Sequence, residues 1–179
     1  NVDGSTSAWT DSLTTLPVAL YNHASVVANG YVYVIGGYND TADVSTVYYA
    51  KLQPDGSIGA WQTAANALPT IRSGHSAVVS NGKVYVVGGT QTSTSYANLN
   101  ADGSVGTWTT SANALPATRT THASVIANGY IYAISGIVAS TASPSVVYTK
   151  LQPNGDIGAW QTTTSIPGNR YEASSVIAN

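Results

Sequence analysis

Four tryptophans stand at positions 9, 61, 108 and 160, spaced 52, 47 and 52 residues apart. Around them one string of residues is written three times and begun a fourth. Its clearest copy runs from Arg72 to Gly89: Arg-Ser-Gly-His, a short apolar run, Asn81-Gly82, a second apolar run holding Tyr85, then Gly88-Gly89. His23, His75 and His122 each precede the first apolar run, and Asn-Gly recurs at 29–30, 81–82 and 128–129. Each Trp is followed by a hydroxyl-rich loop that ends in Leu16-Pro17, Leu68-Pro69, Leu115-Pro116 or Ile166-Pro167. A period near 50 residues made of strand-like pieces restricts the chain to a propeller or a β-solenoid.

Each unit resolves into four strands, A to D. Strand A is a short apolar run such as Ala24 to Ala28, and Asn-Gly then supplies the two positive φ angles of a type I′ hairpin turn. Strand B follows, as in Tyr31-Val-Tyr-Val-Ile35, and stops at Gly36-Gly37. Strand C holds the tyrosine-rich run Val47 to Leu52, and a second tight turn (Pro54-Asp-Gly-Ser57, Ala101-Asp-Gly-Ser104 or Pro153-Asn-Gly-Asp156) leads into strand D with its Trp. No apolar period of 3.6 residues persists anywhere, so helices have no place. Strands A and B are apolar at nearly every position, which implies cover on both faces. A four-stranded blade stacked between two others meets that condition; a sandwich would not require the strict period. The fold class is therefore all-β, a propeller of four-stranded blades with about three and a half present. The blade units fall at approximately 1–22 (partial), 23–63, 75–110, 122–162 and 172–179 (partial), within one segment spanning 1–179.

Composition bounds the partners. Charged residues are only 8% and the net charge is −2, which gives no electrostatic reason to expect nucleic acid. No apolar run reaches the roughly 18 residues of a membrane-spanning helix. With no Cys, disulfides and thiolate metal sites are excluded, and no cofactor is implied. A Cys-free, Lys-poor chain rich in Ser and Thr fits an extracellular or cell-envelope protein.

The ordered set Arg-x-x-His, apolar strand, Asn-Gly, Tyr, Gly-Gly and a Trp some twenty residues on resembles the kelch repeat, over essentially the whole chain. The third copy departs from it with Ser135-Gly136 in place of the diglycine. The resemblance implies a closed ring of about six or seven blades. It also implies a binding scaffold in most members and an enzyme in a few. Kelch-type copper radical oxidases use a Cys–Tyr crosslink, which a chain without Cys does not have. The chain opens on a lone strand D around Trp9 and ends on a lone strand A at Asn179. In one shared blade those strands would stand about 14 Å apart, three strand spacings, too far to pair. Completion by further blades of the same chain, or by a homo-oligomer, is the expectation.

Arg72, Arg119 and Arg170 share one repeat position in the D–A loops, and His23, His75 and His122 share another. Leu20 replaces the Arg in the first copy, and Ala173, beside Glu172, replaces the His in the fourth. The B–C loops at the same end differ in length and content: 38–46, 90–95 and 137–145. Specificity usually resides in such loops on a rigid frame. The candidate ligand-binding residues are therefore Arg72, Arg119, Arg170, His23, His75, His122, and Tyr38, Asp40 and Asp43 of the first B–C loop. An Arg and a His in every blade also suit a purely structural duty, bridging backbone carbonyls between blades. One His per blade spreads the set too widely for metal bonds near 2.1 Å, so no metal site is assigned. Asn39, Thr41 and Asp43 alternate faintly like a calcium loop but lack its Gly and bidentate Glu. No catalytic residue is assigned: Glu172 is the only Glu, and no triad order or paired-carboxylate spacing occurs. The expected function is a non-enzymatic scaffold that binds a protein or glycan on the D–A/B–C face. The alternatives are a kelch-type sugar-acting enzyme such as a sialic-acid mutarotase, and a self-assembling module of a surface protein.

Overall fold

The computed structural model describes residue 8 and residues 12–176. The strand expected around Trp9, and the chain end at Asn179, lie outside the described residues. Within them the structure is all-β, with three four-stranded antiparallel sheets in strand order A-B-C-D and one small three-stranded sheet. The first blade is β1 (Ala24–Ala28), β2 (Tyr31–Tyr38), β3 (Asp43–Lys51) and β4 (Gln62–Thr63). The second is β5 (Ser76–Ser80), β6 (Lys83–Val87), β7 (Thr94–Asn98) and β8 (Thr109–Thr110). After β9 (Arg119–Thr120) come β10 (Ala123–Ala127), β11 (Tyr130–Ile134), β12 (Ile137–Val138), β13 (Thr141–Ala142), β14 (Val146–Lys150) and β15 (Gln161–Thr163). β10, β11, β14 and β15 form the third blade, while β13, β12 and β9 form the small sheet over its B–C end.

The turns follow from the residues in them. Asn29 and Gly30 have φ of 52° and 77°, and the other two Asn-Gly pairs match, giving the left-handed pair that a type I′ turn requires. The C–D turns close by Gln53 N–H to Ser57 O (2.9 Å) and its counterparts at Asn100 and Gln152. Asp55, Asp102 and Asn154 side chains cap them by accepting from the backbone N–H two residues on.

Two apolar clusters fill the joints between blades. Tyr33, Ile35, Val47, Ala64 and Leu68 of the first blade and the loop after it meet Val84, Val86, Ala97, Leu99 and Val105 of the second. Tyr85, Val87 and Leu115 meet Ile131, Ala133, Val147 and Ile157 of the third in the same way. Polar clasps reinforce both joints: Asn66 Nδ2 donates to Val105 O (2.8 Å) and Asn113 Nδ2 to Ile157 O (2.8 Å). On the third blade Tyr132 and Ile134 are half-buried, where Tyr33, Ile35, Tyr85 and Val87 are sealed.

Three expectations need correction. The A strands are not covered on both faces: β5 is half-buried throughout and Val27 is 62% exposed. They converge on the axis, β1 beside β5 and β5 beside β10, so one face looks into the channel. The D strands are two or three residues long and begin just after the Trp. The Trp108 indole turns back over the preceding blade, where Nε1 donates to Asn66 O (3.1 Å). Finally, Tyr38 and Asp43 are not loop residues. A bulge between Ile35 and Gly37 lets β2 and β3 run on, and Tyr38 pairs with Asp43. Only 39–42 remain as the turn.

Candidate functional site

The site is built by the residue preceding each repeat His, and by the one preceding Ala173, which stands for it in the fourth copy. Asn22, Gly74, Thr121 and Glu172 all lie in the left-handed region, with φ of 53°, 64°, 51° and 55°. Three of them carry a side chain, and such a conformation costs a non-glycine residue about 1–2 kcal/mol. A chain of hydrogen bonds holds it: Gly74 N–H donates to Asn22 O (2.8 Å), Thr121 N–H to Gly74 O (2.7 Å) and Glu172 N–H to Thr121 O (2.9 Å). The four peptides form a strap that passes from blade to blade around the mouth of the channel. Inside it is a depression of about 270 Å³ lined by the strap residues with His23, His75, His122 and Ala173.

Beneath the strap the histidines lock the blades. His75 Nε2–H donates to Ile35 O of the preceding blade (2.9 Å), which fixes the tautomer and leaves Nδ1 with a lone pair. His122 Nε2 meets Ser76 Oγ (2.8 Å), which in turn meets Ser124 Oγ (2.6 Å). Burial pushes the His75 imidazole down to about 4 and His122 to about 3, with the neighbouring Arg72 and Arg119 charges adding to the effect. Both rings are neutral near pH 7. The diglycines are the sockets for these rings. A Cβ on Gly36 would fall 2.8 Å from His75 Cε1, and one on Gly88 3.2 Å from His122 Cε1. The second glycine faces its own blade's His: a Cβ on Gly37, Gly89 or Gly136 would fall within 3 Å of the Cβ of His23, His75 or His122.

The arginines staple the B–C loops. Arg72 is fully buried; Nη1 donates to Gly88 O (3.2 Å) and Ser93 O (3.1 Å), and Nη2 to Thr70 Oγ1 and Ser93 Oγ (both 2.9 Å). Arg119 repeats this with Ser135 O, Ser145 O (3.0 Å) and Ser145 Oγ (2.8 Å). Desolvation lowers the guanidinium of Arg72 to about 10, so it keeps its charge. Arg170 differs: it is exposed, and its Nη1 donates to Asn169 O (2.8 Å).

The structure thus brings His23, His75 and His122 to one depression and places Arg72 and Arg119 behind it. Tyr38, Asp40 and Asp43 do not line it; they sit on the first B–C hairpin at the same end. Tyr38 bridges to Tyr21, whose ring centroid is 5.2 Å away. Asp40 is exposed with φ of 68°. Asp43 Oδ2 accepts from Thr90 Oγ1 of the next blade (2.9 Å). Asn39 Oδ1 accepts from the N–H groups of Thr41 and Ala42, so the alternating trio is an Asx-type turn. Among the described residues no group of three His, Cys, Asp or Glu could hold a metal ion.

Sequence reasoning missed the strap and the Ser135 substitution's partner. Ser135 occupies the first-glycine position at the one joint where the following copy has Ala173 in place of His. Its Oγ accepts from Arg170 N–H (3.1 Å) and reaches the carbonyls of Ser143 (2.9 Å) and Arg170. A hydroxyl here replaces the ring-in-socket joint, and the two departures were each visible in the sequence.

Four-stranded blades stacked around an axis, with His rings seated in the diglycines of their neighbours, define a kelch-type β-propeller. The model of the KLHDC2/KLHL20/DRC7 Kelch-repeats domain matches residues 2–179. The chain belongs to the kelch-repeat family. No curated protein sequence matches it significantly.

Proposed function

We propose that the chain is a protein-interaction scaffold whose binding face is the D–A/B–C end, centred on the strapped channel mouth. The observation that carries this reading is the convergence of four successive D–A loops on one depression, beside B–C loops that differ from blade to blade. The opposite end repeats the same Asn-Gly and Gly-containing turns with little change, which suits architecture better than recognition. In this reading Arg72 and Arg119 hold the variable loops in place. Contact with the partner falls to the strap residues, the exposed Arg170, and Tyr38 and Asp40 of the first hairpin. A propeller is a rigid frame for such contacts.

Peptide-display selection against the 179-residue chain, followed by amide-exchange footprinting of the selected peptides, tests the reading. Protection is expected at 20–23, 72–75, 119–122 and the B–C loops. A footprint on the turns at 29–30, 81–82 and 128–129 would overturn it. A glycan array run in parallel separates the two partner classes, since saturable glycan binding at the same face would replace the protein partner by a carbohydrate.

A further inference from the structure

In each blade the residue two before the repeat His is joined by backbone to the residue that follows the Gly-Gly or Ser-Gly pair. Tyr21 pairs with Tyr38, Ser73 O accepts from Thr90 N–H (3.1 Å), and Thr120 pairs with Ile137. The frame uses no side chain at these places, and of the three pairs only the first carries an aromatic ring on both sides. Tyr21 N–H donates to Tyr38 O (3.1 Å) and Tyr38 N–H to Tyr21 O (2.9 Å), which holds the ring centroids 5.2 Å apart with 46° between the planes. Tyr21 is 49% exposed and Tyr38 is half-buried. The first B–C loop is also the only one with acids: 38–46 holds Asp40 and Asp43, while 90–95 and 137–145 hold none. Asp43 is engaged by Thr90 Oγ1, whereas Asp40 is exposed at the tip of a turn that Asn39 Oδ1 fixes by accepting from Thr41 and Ala42 N–H. Desolvation first, then Tyr38 and the Asp40 charge, raise the Tyr21 phenol above its ordinary value, so ring and carboxylate lie within electrostatic reach. None of the six Lys and Arg residues is placed as the counter-ion of Asp40. Lys51, Lys83 and Lys150 stand beside the Asn-Gly turns at the other end, opposite Tyr31, Ser80 and Tyr130. Arg72 and Arg119 are buried under the loops they staple, and Arg170 is on the fourth D–A loop, donating to Asn169 O.

We infer that the Tyr21–Tyr38 pair receives an arginine side chain of the partner, with Asp40 as its counter-ion. The inference rests on the scaffold reading above for the location of the face and adds the chemistry of the group that docks there. A guanidinium lies flat on an aromatic ring and still donates, in its own plane, to a carboxylate at the ring's edge; an ammonium is a compact charge without that flat face. A neutral sugar can stack on the same rings but leaves Asp40 without a charged partner.

The test follows the tyrosine ring signals by 1H–13C NMR at pH 7.5 as Nα-acetyl-arginine methylamide is added at constant ionic strength. Its citrulline and lysine counterparts and methyl glucoside serve as comparisons. The arginine probe should move the Tyr21 and Tyr38 signals most. Citrulline keeps the planar group without the charge and lysine keeps the charge without the plane, so each should give a slope about two- to fivefold lower. Asp40→Asn, which leaves a residue at ease in the left-handed region, should cut the arginine slope by about the same factor, and Tyr21→Leu should do so at Tyr38. A slope for citrulline or lysine equal to that of arginine, an unchanged slope in Asp40→Asn, or larger movement with methyl glucoside overturns the inference. Selected peptides that footprint on this face and contain no arginine would overturn it and leave the scaffold reading standing. A footprint on the turn end overturns the scaffold reading instead, and the arginine probe would still report on the tyrosine pair by itself.

Discussion

Arg72 and Arg170 occupy the same place in the repeat, yet one is sealed from water and the other is in it. The difference lies in what each meets. Arg72 has the B–C loop of its own blade, with Gly88 O, Ser93 O and Ser93 Oγ in reach, whereas Arg170 meets only Asn169 O among the described residues. Arg72→Met would leave those buried acceptors unmet and should cost roughly 3 kcal/mol, measured by urea unfolding. Arg170→Met should fall within about 0.5 kcal/mol of the parent. Equal costs for the two would refute the staple. The repeat position of both residues is legible in the sequence. Their opposite environments are not, because the acceptors are backbone carbonyls and carry no residue-type signal. The same holds for the strap: Asn22, Gly74, Thr121 and Glu172 share a left-handed conformation and no common side chain.

At the scale of the element, the diglycine shows why a strand must end where it does. Gly88 combines a φ of 64° with a Cβ position 2.9 Å from Arg119 O and 3.0 Å from Leu115 Cδ1, while Gly82, at φ of 69°, has nothing within 4 Å. Gly82→Ala should therefore cost only the backbone strain, about 1–2 kcal/mol. Gly88→Ala adds a steric conflict with backbone that cannot yield, worth roughly 1–3 kcal/mol more; calorimetry of the two variants separates the contributions, and equal melting temperatures would sink the socket argument. The third joint offers the complementary experiment. Ser135→Gly alone gives up the bonds to Arg170, about 1 kcal/mol, but relieves the left-handed strain at φ of 61°, so it should leave stability within about 1 kcal/mol of the parent, and Ala173→His alone should be unfavourable against the Ser135 side chain. Together they restore glycine and ring, so the double variant should exceed the additive expectation by about 1 kcal/mol. Additivity would show that the two departures are independent. The hairpins and turns were readable from Asn-Gly and Asp-Gly alone. The small sheet of β9, β12 and β13 was not, because two-residue strands arise from tertiary contact with no sequence period to announce them.

For the molecule as a whole, the joints set the response to acid. His75 and His122 stand between blades, and burial holds their folded values at about 4 and about 3, against an ordinary 6.5. As pH falls, the unfolded chain therefore takes up these protons first. The stability conferred by the neutral rings is complete above about pH 6.5 and is lost as pH descends towards 4 for His75 and 3 for His122. Each ring contributes a slope approaching 1.4 kcal/mol per pH unit within that window. Asp55 and Asp102, whose carboxyls are held below the usual range by bonds from Ser57 and Ser104, lose their own contribution only below about pH 4. Urea midpoints between pH 7.5 and 4.5 should accordingly decline, and His75→Gln/His122→Gln should be less stable at neutral pH but nearly flat across the range. Protonation also charges His75 beside Arg72 and His122 beside Arg119. Both interblade contacts survive protonation, because the charged His75 still donates to Ile35 O and the charged His122 donates from Nε2 to Ser76 Oγ; the joints differ in that the His122 joint goes on losing stability down to about pH 3, whereas the His75 joint stops at about 4. Acid should hence open the joint between second and third blades before the first, seen as earlier loss of amide protection in β10 than in β1. Simultaneous loss at both joints would mean that the two buried rings do not control where the propeller gives way.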